Sequence, residues 1–286
     1  MKNLSKAYYK DYFSGVDFKL VTNPDTKQNE IVADSQKVKG KNSKLIHKLA
    51  NAEYVREAKK TFFSGDASGL QEFSLEVRYP GLVTGIGFNH EAGVDGEFKL
   101  GVHMDYTSGL PVIYGSSVKG VLRDAFRYEN LFGVLLEIFP EYKQNIAELQ
   151  NKFKSKTLAQ WTKEIFGDDK SNDKDPRSVY QRDIFFDAIV CKANDAGRIL
   201  SADSITPHNG PLKNPTPITF VKIASGCKIK FRFHLKDSDG VTADDKMSLF
   251  KYILMAFGAG AKTNVGYGQL TDTNCCYIQC HLRTVK

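Results

Sequence analysis

The sequence predicts an α+β protein on three observations: a strand-like alternation at residues 71–79, an amphipathic helix at 243–257, and several strand-like runs between 183 and 235. Residues 71–79 (QEFSLEVRY) set Phe73, Leu75, Val77 and Tyr79 against polar neighbours, the period of a half-buried strand. Residues 243–257 (ADDKMSLFKYILMAF) place Met247, Phe250, Ile253, Leu254 and Phe257 at helical spacings of three and four.

The remaining elements follow in order. Pro80-Gly81 turns the chain after the first strand, and 82–88 forms a second apolar run. A loop rich in glycine and charge, 89–109, leads to a helix that Ser116 or Ser117 would N-cap, with Val118, Leu122 and Phe126 on its apolar side. Residues 134–166 read as helical with a break at Pro140, and Trp161 belongs in a core. A polar loop (167–179), a strand (183–191, DIFFDAIVC) and an irregular excursion (201–217) come next. Residues 218–223 and 227–235 predict a hairpin over Ala224–Gly226. The order strand, helix, strand, hairpin strands, helix, glycine loop, strand is a ferredoxin-like (RRM-like) βαββαβ pattern. It occupies 70–286, with insertions at about 130–180 and 191–217.

Residues 1–69 form a separate N-terminal extension with a basic helix. That helix is expected from Ser43, as N-cap, to about Phe63, with Leu45, Leu49, Ala52 and Val55 on one side. Residues 34–60 carry eight Lys or Arg against three Asp or Glu, a local +5. Such a charge run is either a solvated helix face or an arm reaching RNA or a neighbouring subunit. Over the whole chain the net charge is +7 and the pI about 9.0, which suits a polyanionic partner. The longest apolar stretches are too short to span a bilayer, and the first fifteen residues lack a signal-peptide core, so the expected location is the cytoplasm.

Gly258-Ala-Gly260-Ala-Lys262-Thr263-Asn264-Val-Gly266-Tyr-Gly268 is the stretch richest in glycine. Glycine packs no side chain, but it permits positive φ and close approach of backbone N–H groups to another molecule. With Lys262, Thr263 and Asn264 at its centre, the loop can cradle a phosphate; the alternative is a tight helix-to-strand crossover. A P-loop is excluded, because Ala256 and Ala261 stand where its glycines belong, and Thr263 breaks the dinucleotide-binding fingerprint. In the helix that opens near Ser116, Lys119 lies in the first turn, where a lysine opposes the helix dipole unless both hold an anion.

Five cysteines (191, 227, 275, 276, 280) follow no disulfide framework. Cys275-Cys276-x-x-x-Cys280-His281 matches no zinc spacing, and a strand would split its ligands between two faces. Buried free thiols are expected, with no metal and no cofactor.

GSSVKGVLR (115–123) and GAGAKTNVGYG (258–268) resemble the paired signatures of the RAMP superfamily of CRISPR proteins. IFFDAIV (184–190), Asp203 with TPH (206–208), and PTPITFVKIASGCKIKFRF (215–233) narrow the resemblance to the sixth-subunit family of type III-B Cmr effector complexes. It covers about 70–286 in the right order; Tyr114 departs from it, standing where the family usually has proline. The resemblance implies a non-catalytic subunit that contacts the guide RNA backbone near its 3′ end, caps the subunit backbone, meets target RNA and packs against neighbouring RAMP subunits. By position it implies RNA contact for Ser116, Ser117, Lys119 and Arg123, and for Gly258, Gly260, Lys262, Thr263 and Asn264. The 191–217 excursion corresponds to an inserted hairpin in such proteins.

A competing expectation is an enzyme, since some RAMP relatives cleave repeat RNA without metal through His, Tyr or Lys. His90, His103 and His208 are the candidates, all in loops, each equally readable as a hydrogen-bonded structural histidine.

Overall fold

Residues 3–62, 69–85, 94, 96–167, 182–206 and 217–272 are described in the computed structural model. The chain opens with α1 (Leu4–Tyr9), where the Asn3 side chain accepts from the Lys6 N–H and so caps the helix. β1 (Phe18–Thr22) and β2 (Asn29–Ala33) form an exposed antiparallel ribbon. α2 (Ser35–Lys44) is capped by the Asp34 carboxylate, which accepts from the Gln36 and Lys37 N–H groups. A π-helical turn at Leu45–Leu49 and α3 (Ala52–Phe62) follow. The helix expected from Ser43 therefore starts earlier, at an aspartate. It is also divided, because the Ala50 carbonyl and Ala52 N–H bond to Ile199 and Gly197 rather than along the helix. Leu4, Tyr8, Leu45 and Tyr54 join the same hydrophobic core as Phe231 and Leu254.

β3 (Gln71–Val77) is the alternating strand that the sequence predicts. Within the expected 89–109 loop lie two short strands, β4 (Lys99–Leu100) and β5 (His103–Met104), and β6 (Pro111–Ile113) follows. α4 (Gly115–Ala125), α5 (Leu131–Ile138), α6 (Lys143–Phe153) and α7 (Leu158–Phe166) come next. A 3-10 turn at Pro140–Tyr142 makes the expected break, and a Thr157–Gln160 capping box starts α7. Trp161 is buried as expected, its indole N–H donating to the Phe153 carbonyl at 2.9 Å.

The remaining strands are β7 (Ile184–Phe185), β8 (Ala188–Lys192), β9 (Leu200–Ile205), β10 (Ile218–Ile223) and β11 (Lys228–His234). α8 (Ala243–Phe257) starts at a Thr242–Asp245 capping box, and β12 (Leu270–Thr271) closes the described chain. The central antiparallel sheet runs β12-β3-β11-β8-β6-β5, with β7 also paired to β11. β11 alternates strictly: Ile229, Phe231 and Phe233 are buried, while Lys228, Lys230 and Arg232 point the other way. α8 packs on β3 and α4, and Phe250 meets Phe233, Phe185 and Phe166.

The hairpin expected from 218–235 does not form. β10 pairs with β9 and, in parallel, with β4 in a second sheet, whereas β11 pairs with β3, β7 and β8. Residues 224–226 thus carry the chain from one sheet to the other. The expected 183–191 strand is also broken, because Asp187 leaves the ladder to serve α4. Cys191 and Cys227 are buried free thiols, and burial pushes the Cys227 thiol up to about 12. His90, His208, the tip of the excursion and the Cys275–His281 segment lie outside the described residues.

Candidate nucleic-acid interface

At the end of α8, Gly258 (φ +73) takes a left-handed turn, and a Cβ there would lie 2.7 Å from the Gly268 carbonyl oxygen. A Cβ at Gly260 (φ +91) would run into the Val83 carbonyl oxygen, and one at Gly268 (φ +74) into that of Ala259. The loop is stitched to its neighbours by Ala261 N–H to Val83 at 2.6 Å and Gly268 N–H to Gly81 at 2.8 Å. The close backbone approach for which these glycines are needed is therefore internal. For these three glycines the tight helix-to-strand crossover is the reading that fits: they let three backbone segments lie against one another.

Tyr267 anchors the same loop to the second sheet. Its hydroxyl donates to Asp203 Oδ2 at 2.7 Å, and the Lys222 ammonium pairs with the same carboxylate while lying 5.2 Å from the Tyr267 ring centroid. Burial alone would raise the Asp203 pKa, but the bonds from Lys222, Tyr267 and the Ser204 N–H outweigh it and hold the carboxyl below its ordinary value. Burial, then the adjacent carboxylate, pushes the Tyr267 phenol up to about 12.

Lys262 is different from its surroundings. It occupies the left-handed region (φ 61, ψ 31) without being glycine, is exposed, and has no hydrogen-bond or ion-pair partner for its ammonium among the described residues. Thr263 and Asn264 follow in a one-turn 3-10 helix, with Asn264 exposed.

α4 presents the first stretch. The helix begins at Gly115, so Ser116 and Ser117 lie inside its first turn, exposed, and neither is the N-cap expected of one of them. The anion at this terminus is internal: Asp187 Oδ1 accepts from the Gly115 N–H at 2.7 Å. The Lys119 ammonium lies 5.9 Å from the Phe185 ring centroid. Arg123, a turn further on, reaches the Gly167 carbonyl at the end of α7 at 3.4 Å and lines a cleft of about 670 Å³ with Arg127 and Lys163. The two stretches thus belong to two helices that pack together, but they have different anchors. One is held by Leu82–Val83 and Asp203, the other by Phe185 and Asp187.

Two participants escaped the sequence reading. Asp187 sits in an apolar run and shows nothing of its capping role. Tyr79 is 87% exposed and adjoins Pro80, which packs beside Gly266 of the loop. Its alternation with Val77 marked it as a strand residue, whereas the strand ends at Val77 and frees its ring. Of the histidine candidates, His103 is described: its ring stacks on Tyr114 at 4.5 Å, and burial lowers its pKa. Among the described residues no group of His, Cys, Asp and Glu has a metal-binding arrangement, and no helix is long and apolar enough to cross a membrane.

The CRISPR system Cmr subunit Cmr6 of Pyrococcus furiosus is 26% identical over 226 residues, 63% of this chain and 63% of that protein, so this chain spans less than two thirds of its relative. Among solved structures, a chain of the type III-B Cmr-beta bound to cognate target RNA superposes with a TM-score of 0.52 at 20% identity, covering 83% of this chain and 74% of that one, which shows a shared fold. The crystal structure of Cmr6 from Pyrococcus furiosus aligns at a TM-score of 0.41 and 22% identity over 72% of this chain and 99% of that one. The RAMP superfamily profile matches residues 74–271, a span that runs from the middle of β3 through both signature stretches to the end of β12. The chain belongs to the RAMP superfamily.

Proposed function

We propose that this protein is a non-catalytic RNA-binding subunit of a type III-B CRISPR effector complex in the cytoplasm. It contacts the guide RNA backbone near its 3′ end and caps the row of neighbouring RAMP subunits. Superfamily membership and similarity to Cmr6 support the reading. The observation that carries it is Lys262, a cation with no partner among the described residues and in a backbone conformation that favours glycine, on a loop whose glycines meet neighbouring backbone. Lys27 and Asp239 share this backbone region, but Lys262 alone of the three lies in a signature stretch. Ser116, Ser117, Lys119 and Arg123 supply the second set of contacts, and Tyr79 offers a face on which a base can stack. We read β3, α4, β8, β11, α8 and β12 as a ferredoxin-like βαββαβ unit with β4–β6 inserted before its first helix. Residues 1–69 form its extension.

Contacts of this kind address phosphates and read no bases. Guide-length RNAs of unrelated sequence should bind within about tenfold of one another, roughly 1.4 kcal/mol. Lys119→Ala should flatten the plot of log affinity against log salt by about 0.7. Strong preference for one sequence, or a wild-type salt slope in this variant, would contradict the reading.

A further inference from the structure

The N-terminal extension makes a second basic surface that includes neither signature stretch. α3 buries Tyr54, Val55 and Ala58, and Arg56, Lys59 and Lys60 rim a cleft of about 800 Å³. The opposite wall is the end of β8, with Lys192 and Asp195. Four cations therefore line the cleft against one carboxylate. Other lysines on this protein find partners, as Lys37 does in Asp17 and Lys152 in Asp245. The four of the cleft have no ion-pair or side-chain hydrogen-bond partner among the described residues. Lys192 stands opposite Lys228 in strand register, and Lys228 in turn stands opposite Glu76 of β3, so the carboxylate offsets Lys228 and leaves Lys192 facing the cleft.

The walls are fixed relative to one another. Ala52 N–H donates to the Gly197 carbonyl at 2.9 Å and Ile199 N–H to that of Ala50 at 3.1 Å. Asn194 closes the turn, accepting from Arg198 N–H at 2.9 Å and donating to the Ser225 carbonyl at 3.1 Å. The cations are thus presented by a scaffold that needs no rearrangement to meet a ligand. Among the described residues the lining is polar, charged or small aliphatic, suited to a phosphate backbone. Arg56 to Lys60 span about 6 Å of helix axis, and Lys192 adds charge from the facing wall, a spread that suits consecutive phosphates.

We propose that this cleft between α3 and the end of β8 is a second RNA-backbone site, a phosphodiester groove read without regard to sequence. The choice of RNA as the polyanion rests on the function proposed above; the cleft's affinity for phosphates does not depend on the signature stretches. The test is salt-dependent binding of single-stranded guide-length RNA to the full chain. It compares wild type, the quadruple variant Arg56→Gln, Lys59→Gln, Lys60→Gln, Lys192→Gln, and the double variant Lys119→Ala, Lys262→Ala. The quadruple variant should keep the wild-type melting temperature and lose about 2.8 from the salt slope, four contacts at about 0.7 each. If it unfolds instead, Arg56→Gln and Lys60→Gln taken singly should each remove about 0.7.

Loss of slope in the quadruple variant alone supports the cleft and removes the signature stretches as the RNA site. Loss in the double variant alone overturns the cleft and leaves the proposed function standing; this is also the outcome if the cleft serves an acidic protein surface. Complete displacement of RNA from the double variant by inorganic phosphate at matched ionic strength marks a small-anion site and overturns the proposal. Retention of RNA under those conditions supports it.

Discussion

Lys262→Gly separates the crossover that the glycine-rich loop makes from the RNA contact proposed for it. At φ 61 and ψ 31 an L-residue is disfavoured by about 1–2 kcal/mol, and glycine escapes that penalty. Glycine's greater freedom in the unfolded chain offsets about 0.5–1 kcal/mol. The variant should therefore be as stable as wild type or up to about 1.5 kcal/mol more stable, raising the melting temperature by at most about 3–6 °C. Its RNA affinity should nevertheless fall by about 1.5–3 kcal/mol at low salt, with a salt slope flatter by about 0.7. Gly260→Ala should do the reverse. Its new Cβ meets the Val83 carbonyl oxygen at φ +91, so the loop must shift, the melting temperature falls, and the salt slope of the folded fraction stays near wild type. Scanning calorimetry and fluorescence anisotropy across a salt series measure both quantities. Wild-type affinity and slope in a folded Lys262→Gly protein would refute the assignment of this cation to phosphate.

Further outcomes follow from other contacts. Lys246 and Asp183 form a buried ion pair at 2.7 Å, so Lys246→Met should cost about 3–5 kcal/mol by chemical denaturation. Adding Asp183→Asn, which removes the stranded charge but keeps an acceptor for the Lys236 N–H, should recover part of that loss. The folded Asp203 pKa lies below its ordinary 3.8, so its stabilising contribution is present above that value and is lost as pH falls through the lower folded value; Asp203→Asn should flatten the acid limb of the stability profile. Tyr267, raised from 10.0 to about 12, gives the opposite sign: stability is present below 10 and lost as pH rises towards 12, a loss absent in Tyr267→Phe. Purified protein should leave repeat RNA intact with or without magnesium, and site-specific cutting abolished by His103→Ala would restore the enzyme reading.

Local signals were legible in the sequence, and their partners were not. α8 occupies the residues its apolar spacing predicts, because Thr242, Asp245 and Gly258 start and stop it within the segment itself. β10 and β11 also fall where expected, yet the short link between them suggested a hairpin that does not form. β10 joins β4 and β9, and β11 joins β3, β7 and β8, all more than a dozen residues away in sequence. The glycines at 258, 260 and 268 correctly signalled close approach, but glycine does not say what approaches; here it is backbone carbonyls. The serines at 116 and 117 looked like caps because they are the usual capping residues nearby, whereas the acceptor comes from Asp187, seventy-two residues from Gly115. Lys262 was legible as a cation among glycines, but neither the spacing nor the loop says whether its side chain serves the turn or a ligand.

The most direct test of the central claim is affinity purification of the tagged protein from its native host, with sequencing of the RNA and mass spectrometry of the proteins that accompany it. The account predicts guide-sized RNA carrying repeat-derived ends together with other RAMP subunits, and a reduced yield of that RNA, with the fold intact, in the Lys119→Ala, Lys262→Ala variant. A protein recovered free of RNA and of RAMP subunits would contradict it.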